Sequence, residues 1–114
     1  MTQLNDINST QINKNMLLSI VSLATKEIAG VVNLAQQPYY NLKKIFSKNC
    51  GQGVAIKFTH LGLVIDVYVV IEIGYEVADV VYRVQQNIKN SMSSMLDLPI
   101  KAINVHIMDA EKHK

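Results

Sequence analysis

Residues 61 to 73 read Leu-Gly-Leu-Val-Ile-Asp-Val-Tyr-Val-Val-Ile-Glu-Ile. Within this stretch Ile65, Val67, Val69, Ile71 and Ile73 alternate with Asp66, Tyr68, Val70 and Glu72. That is the period-two pattern of a strand with one face in a core. Burying Val67, Val69, Ile71 and Ile73 is worth roughly 1.5–3 kcal/mol each, against an ordering entropy of about 1–2 kcal/mol per residue. The aliphatic face must therefore be covered, while the mixed face is compatible with water.

On its N-terminal side, Val54, Ile56 and Phe58 alternate with Ala55, Lys57 and Thr59 in a second strand. The link His60-Leu61-Gly62 is short enough only for an antiparallel hairpin with the glycine at a positive backbone angle. On the C-terminal side the period changes after Gly74. Val77, Val80, Val81, Val84, Ile88, Met92 and Met95 trace one helical stripe from about Glu76 to Leu96, with Asp79, Arg83, Gln86 and Asn90 on the polar face. Asp79 and Arg83 are four apart, acid before base, as a favourable exposed pair requires. Asp97-Leu98-Pro99 breaks this helix, and Ala102, Asn104, His106 and Met108 alternate with Ile103, Val105 and Ile107 as a last strand.

Earlier in the chain, Met16, Leu17, Ile20, Leu23, Ala24 and Ile28 recur at helical spacing, with Asn13 placed to cap and Gly30 to terminate. Ser22, Thr25 and Lys26 fall on the other side. Thr10 to Ile12 is a faint edge strand, Pro38 opens a short second helix carrying Tyr39, Leu42, Ile45 and Phe46 on one side, and Cys50-Gly-Gln-Gly53 reads as a loop. The expected fold is α+β, a two-layer sandwich of (β)αββαβ order with two main helices on one face of a three- to four-stranded mixed sheet. Residues 1–9 are assigned to a flexible N-terminus, 10–109 to one domain and 110–114 to a solvated C-terminal tail.

The 114 residues, 49% hydrophobic and 18% charged, suit one globular domain and not a disordered chain. A net charge of +2 lacks the basic excess of a dedicated nucleic-acid binder. One cysteine, Cys50, rules out an internal disulfide framework and fits a reducing compartment. The first residues, Met-Thr-Gln-Leu-Asn-Asp, lack the basic and apolar regions of a cleaved secretory signal, and no apolar run approaches the ~20 residues of a membrane-spanning helix.

No constellation carries recognisable catalytic chemistry. His60, His106 and His113 have no ligand spacing and read as solvated, and Cys50 reads as inert. Asp66 and Glu72 share a strand face but stand about 20 Å apart along an extended chain, too far for a carboxylate pair, and are read as keeping that face soluble. Gly51 and Gly53 lack the lysine and helix of a phosphate loop. One feature has a functional alternative to simple packing: Tyr39, Tyr40 and Phe46 interleaved with Lys43, Lys44 and Lys48, which suits a partner groove or an anionic membrane surface.

In order along the chain, Ile12-Asn13, Glu27-Ile-Ala-Gly30-Val31, Gly53-Val54, Ile73-Gly74, Val84-Gln-Gln-Asn-Ile88 and Ile103-Asn-Val-His-Ile107 resemble the alkaline shock protein family over about residues 10 to 109. Members usually carry Thr-Gly after the long helix, where this chain has Leu96-Asp97, and a more apolar first strand. The resemblance implies a cytoplasmic protein without catalytic residues, cofactor or metal, tied to cell-envelope homeostasis and stress tolerance. It also implies self-association or attachment to a membrane-associated protein, with no small-molecule substrate. The candidate contact surfaces are the Tyr39 to Lys48 segment and the exposed sheet edge. Two rival readings are a small nucleic-acid-binding module using Lys43, Lys44, Lys48 and Lys57, and a regulator of a metabolic enzyme that supplies lipid.

Overall fold

The computed structural model describes residues 15–35, 50–51, 53–94 and 99–112. A helix over residues 15–26, α1, leads through a turn into β1 (Val31–Leu34). Then follow β2 (Cys50–Gly51), β3 (Val54–Thr59), β4 (Gly62–Glu72), the helix α2 (Val77–Ser93) and β5 (Ile100–Glu111). The expected α+β architecture is observed, with a mixed sheet of five strands. The faint strand at Thr10 to Ile12, the cap at Asn13 and the helix after Pro38 lie outside the described residues.

Strand β4 is the centre of the sheet. Its first half pairs antiparallel with β3 in a tight hairpin, from Thr59 opposite Gly62 to Val54 opposite Val67. Its last residues pair antiparallel with β1, Leu34 opposite Val69 and Val31 opposite Ile71. Both partners lie on the same edge of β4, end to end. At the join, Tyr68 donates its N–H to the Gly53 carbonyl (2.8 Å) and accepts from the Ala35 N–H (2.7 Å). On its other edge β4 runs parallel to β5 along its whole length, from Leu63 opposite Ile100 to Glu72 opposite Glu111. A parallel neighbour cannot be reached by a hairpin, so α2 serves as the crossover.

The inner face of β4 is Leu63, Ile65, Val67, Val69 and Ile71, each at most 4% exposed. It packs into one cluster with Val54, Ile56 and Leu34 from the sheet, Leu17, Val21 and Ala24 from α1, and Val80, Val84, Ile88 and Met92 from α2. Both helices thus share one face of the sheet. The four valines of α2 are poor helix formers, and burial of Val80 and Val84 outweighs their propensity.

Several sequence expectations are corrected. Ile73 lies past the end of β4 in the turn and is 55% exposed, so the buried set of β4 is shifted toward Leu63. In α1 the buried stripe is Leu17, Val21, Ala24 and Thr25, whereas Met16 and Leu23 are exposed. Thr25 can turn inward because its hydroxyl donates to the Val21 carbonyl at 2.7 Å, which satisfies the one polar atom that would otherwise be buried alone. Val31 to Leu34 is a strand, and Cys50–Gly51 pairs with Val54 and Ala55 where a loop was expected. Strand β5 runs on to Glu111, two residues into the expected tail.

Gly53 marks the join between β1 and β3. Its φ is +75°, and a Cβ there would stand 2.6 Å from the Leu34 Cβ and 3.2 Å from the Ala35 and Tyr68 carbonyl oxygens. Gly74 also has a positive φ, of +112°, but open space around it. We expect Gly74→Ala to cost only backbone strain, roughly 1–3 kcal/mol, and Gly53→Ala to cost clearly more because two backbone atoms cannot yield. Urea denaturation of the two variants checks this, and equal losses would show that the join has room.

Candidate functional site

The six residues proposed from sequence as a contact surface, Tyr39, Tyr40, Lys43, Lys44, Phe46 and Lys48, lie outside the described residues. The other candidate, an exposed sheet edge, is found at β5: among the described residues β5 has a neighbour on one side only.

Alternate residues of a parallel strand direct both backbone polar groups to the same side. Gln85, on α2, donates its side-chain N–H to the Ile103 carbonyl at 2.9 Å, so Ile103 faces away from β4. Val105 and Ile107 fall in the same set. The register with β4 is irregular between Leu63 and Val64 and again between Val69 and Val70, which leaves Ala102 to Ile107 as the regular span of the edge. Side chains along it alternate between Ile103, Val105 and Ile107 on the helix face and Asn104 and His106 on the outer face.

The outer face holds a polar cluster that sequence reading missed. Parallel register sets Asp66 beside Asn104 and Tyr68 beside His106. One carboxylate oxygen of Asp66 accepts from Asn104 Nδ2 at 3.1 Å and lies 2.9 Å from His106 Nε2. The rings of Tyr68 and His106 stack, with centroids 4.4 Å apart and planes 11° from parallel. His106 is therefore not simply solvated, and Asp66 does more than keep the face soluble. The side chains are 42% and 26% exposed respectively. The sequence signal existed, since Asp66, Tyr68, Asn104 and His106 all sit on the non-aliphatic faces of their strands, but only the parallel register brings them together.

An aspartate that orients a histidine supplies two of the three members of a catalytic triad, and chemistry would need a nucleophile and a space for substrate beside them. Two grooves on the described surface lie elsewhere. One, of about 330 Å³, runs between the end of α1 and α2, beside Glu27, Tyr82, Arg83 and Asn90. There Asn87 donates to the Ala24 carbonyl (2.8 Å) and the Glu27 carboxylate (3.0 Å), tying the two helices together. The other, of about 210 Å³, lies beside the hairpin turn at Phe58, His60 and Pro99. Among the described residues no three His, Cys, Asp or Glu side chains are placed to share a metal ion, and no helix is long and apolar enough to cross a membrane. The cluster ties β5 to β4.

If so, Asp66 and His106 are coupled. We expect Asp66→Ala and His106→Ala each to destabilise the protein, and the double variant to lose less than the sum by about 0.5–1 kcal/mol. Additive losses in a double-mutant cycle would mean that the contact contributes nothing.

Comparison with known proteins gives a consistent result. The model of the alkaline shock protein 23 family, described as having a cell envelope-related function, matches residues 2–111. The uncharacterised protein Spy1614 of Streptococcus pyogenes is 28% identical over 102 residues, 87% of this chain and 84% of that protein. The uncharacterised protein YqhY of Bacillus subtilis is 33% identical over 90 residues, 78% of this chain and 67% of that protein. A second S. pyogenes protein, Spy1535, is 30% identical over 84% of this chain and 74% of its own length. No solved structure matches. With a family model covering nearly its whole length and a relative one third identical over 90 residues, the chain belongs to the alkaline shock protein 23 family.

Proposed function

We propose that this protein is a non-enzymatic assembly module that joins copies of itself along the free edge of β5, in support of cell-envelope homeostasis and stress tolerance. The family's envelope-related function supports the setting. The observation that carries the mode of action is the edge itself: a twelve-residue strand with a neighbour on one side only among the described residues. Such an edge is a template for strand addition, in which main-chain hydrogen bonds supply the attraction.

A second copy suits it because an antiparallel pair about a two-fold axis is self-complementary. With the axis at Val105, Val105 meets its own counterpart and Ile103 meets Ile107 of the other copy. Just beyond the regular span, Lys101 of one copy and Asp109 of the other fall at the same end, so opposite charges flank the pairing on both sides. The outward-facing residues Ile103, Val105 and Ile107 pair only with one another in this register, as an antiparallel ladder requires. The Ile103 carbonyl has a second lone pair beyond the one that Gln85 uses. Attachment at the cytoplasmic face of the membrane would then come through a partner protein, with two copies held by each attachment.

The expected result is a mass that grows with concentration in analytical ultracentrifugation, and an Ile107→Lys variant that stays monomeric where the wild type associates. Ile107 is 36% exposed, so the lysine reaches water in the monomer and its melting temperature stays close to wild type. A wild type that is monomeric at every concentration, or a variant that associates as before, overturns the proposal.

A further inference from the structure

Two turns and the end of β5 converge where β4 leaves the sheet. Glu72 accepts no role in the hairpin but donates its N–H to the Gly30 carbonyl (2.8 Å), and the Ile73 N–H donates to the Glu111 carbonyl (2.8 Å). The α1-to-β1 turn, the β4-to-α2 turn and the end of β5 therefore form one surface. On it Val32, Ile73, Tyr75 and Val77 are each 43–55% exposed, although each is large and apolar. Singly exposed apolar residues are ordinary, but a group gathered at one pole marks a contact surface.

The charge around that patch is not ordinary for this chain. Among the described residues Glu72, Glu76, Asp109 and Glu111 fall beside the patch, at the end of β4, in the turn to α2 and at the end of β5, against Lys112. Those described residues sum to −3 in a chain of net +2. Arg83 is already held by Asp79 at 2.9 Å. Glu72 and Glu111 are register partners on adjacent strands, an arrangement in which like charges repel.

We infer that this pole docks a basic, apolar segment of another protein, one that carries lysine or arginine around one or two large aliphatic or aromatic side chains. The apolar side chains cover Ile73 and Val77 while the cations meet the carboxylate rim. The rim supplies steering and selectivity, and the apolar centre supplies most of the affinity. The sign of the rim disfavours an anionic lipid surface as the occupant. This surface is distinct from the regular span of β5, and its test does not depend on self-association.

The probe is a fluorescein-labelled peptide of sequence Lys-Leu-Leu-Lys-Lys-Leu-Leu-Lys, followed by anisotropy, with the same peptide bearing Glu in place of Lys as its counterpart. The wild type should bind the lysine peptide, more weakly as salt is raised, and not the glutamate peptide. Affinity should fall at least tenfold in Ile73→Ser/Val77→Ser and in Glu76→Lys/Glu111→Lys, and the charge-reversed variant should now prefer the glutamate peptide. All four positions are exposed, and unchanged thermal unfolding confirms that each variant is folded. No binding by the wild type, or equal binding by the folded variants, overturns the inference. So does co-sedimentation with phosphatidylglycerol vesicles that Ile73→Ser/Val77→Ser abolishes, which makes the occupant a membrane. Loss of self-association in the same variant makes it a second copy and overturns it equally.

Discussion

Strand β4 has to satisfy its backbone on both edges while burying five aliphatic side chains on one face, and the positions of the other elements follow from that. A central strand left half-paired would bury N–H and C=O groups without partners, each costing about 1–3 kcal/mol. The hairpin with β3 supplies partners only as far as Val67. The remaining length is completed by β1, which arrives from a different part of the chain. The two partial strands meet where Gly53 and Ala35 share the backbone of Tyr68. Any side chain at residue 53 would separate them, so one glycine sets the continuity of that edge.

The other edge follows from the crossover. After β4 the chain must return to the far end of the sheet under cover of its apolar face, and α2 does this with Val80, Val84, Ile88 and Met92 turned inward. The returning strand is then parallel, and it is long because β4 is long. Parallel register also decides what meets on the outer face. It places Asn104 and His106 against Asp66 and Tyr68, so a polar cluster forms on the face opposite α1 and α2.

Local pattern made much of this legible. Alternation identified β3, β4 and most of β5, and the change of period after Gly74 identified α2. Asp79 and Arg83 form the pair that their spacing required. What failed was information that lives in pairing. Val31 to Leu34 is four residues with no alternation of its own, and it becomes a strand because β4 has vacant groups opposite it. Thr25 looks like a surface residue until its hydroxyl is seen returning to the helix backbone. Asp66 and His106 are forty residues apart, and nothing in either neighbourhood points to the other. The resemblance to a family carried the envelope-related setting, which no residue pattern could have supplied.

The same contacts bear on how the edge of β5 could act. An edge strand recruits another efficiently only if it is already held straight, since each residue ordered on association costs free energy that the new hydrogen bonds must offset. β5 is held from three directions. Its ladder joins it to β4, Ile103 and Val105 pack against the core beneath α2, and Gln85 fixes the Ile103 carbonyl. On the opposite face Asp66 grips Asn104 and His106, inside the regular span between the two register irregularities. Those irregularities matter too, because a bulge bends a strand and ends its regular pairing. They confine a flat, well-anchored template to about six residues, long enough to align a second strand and too short to invite indiscriminate pairing along the whole edge. On this view the polar cluster is part of the assembly surface although it faces away from it. It sets how rigid the edge is, while the outward-facing backbone sets what the edge can bind.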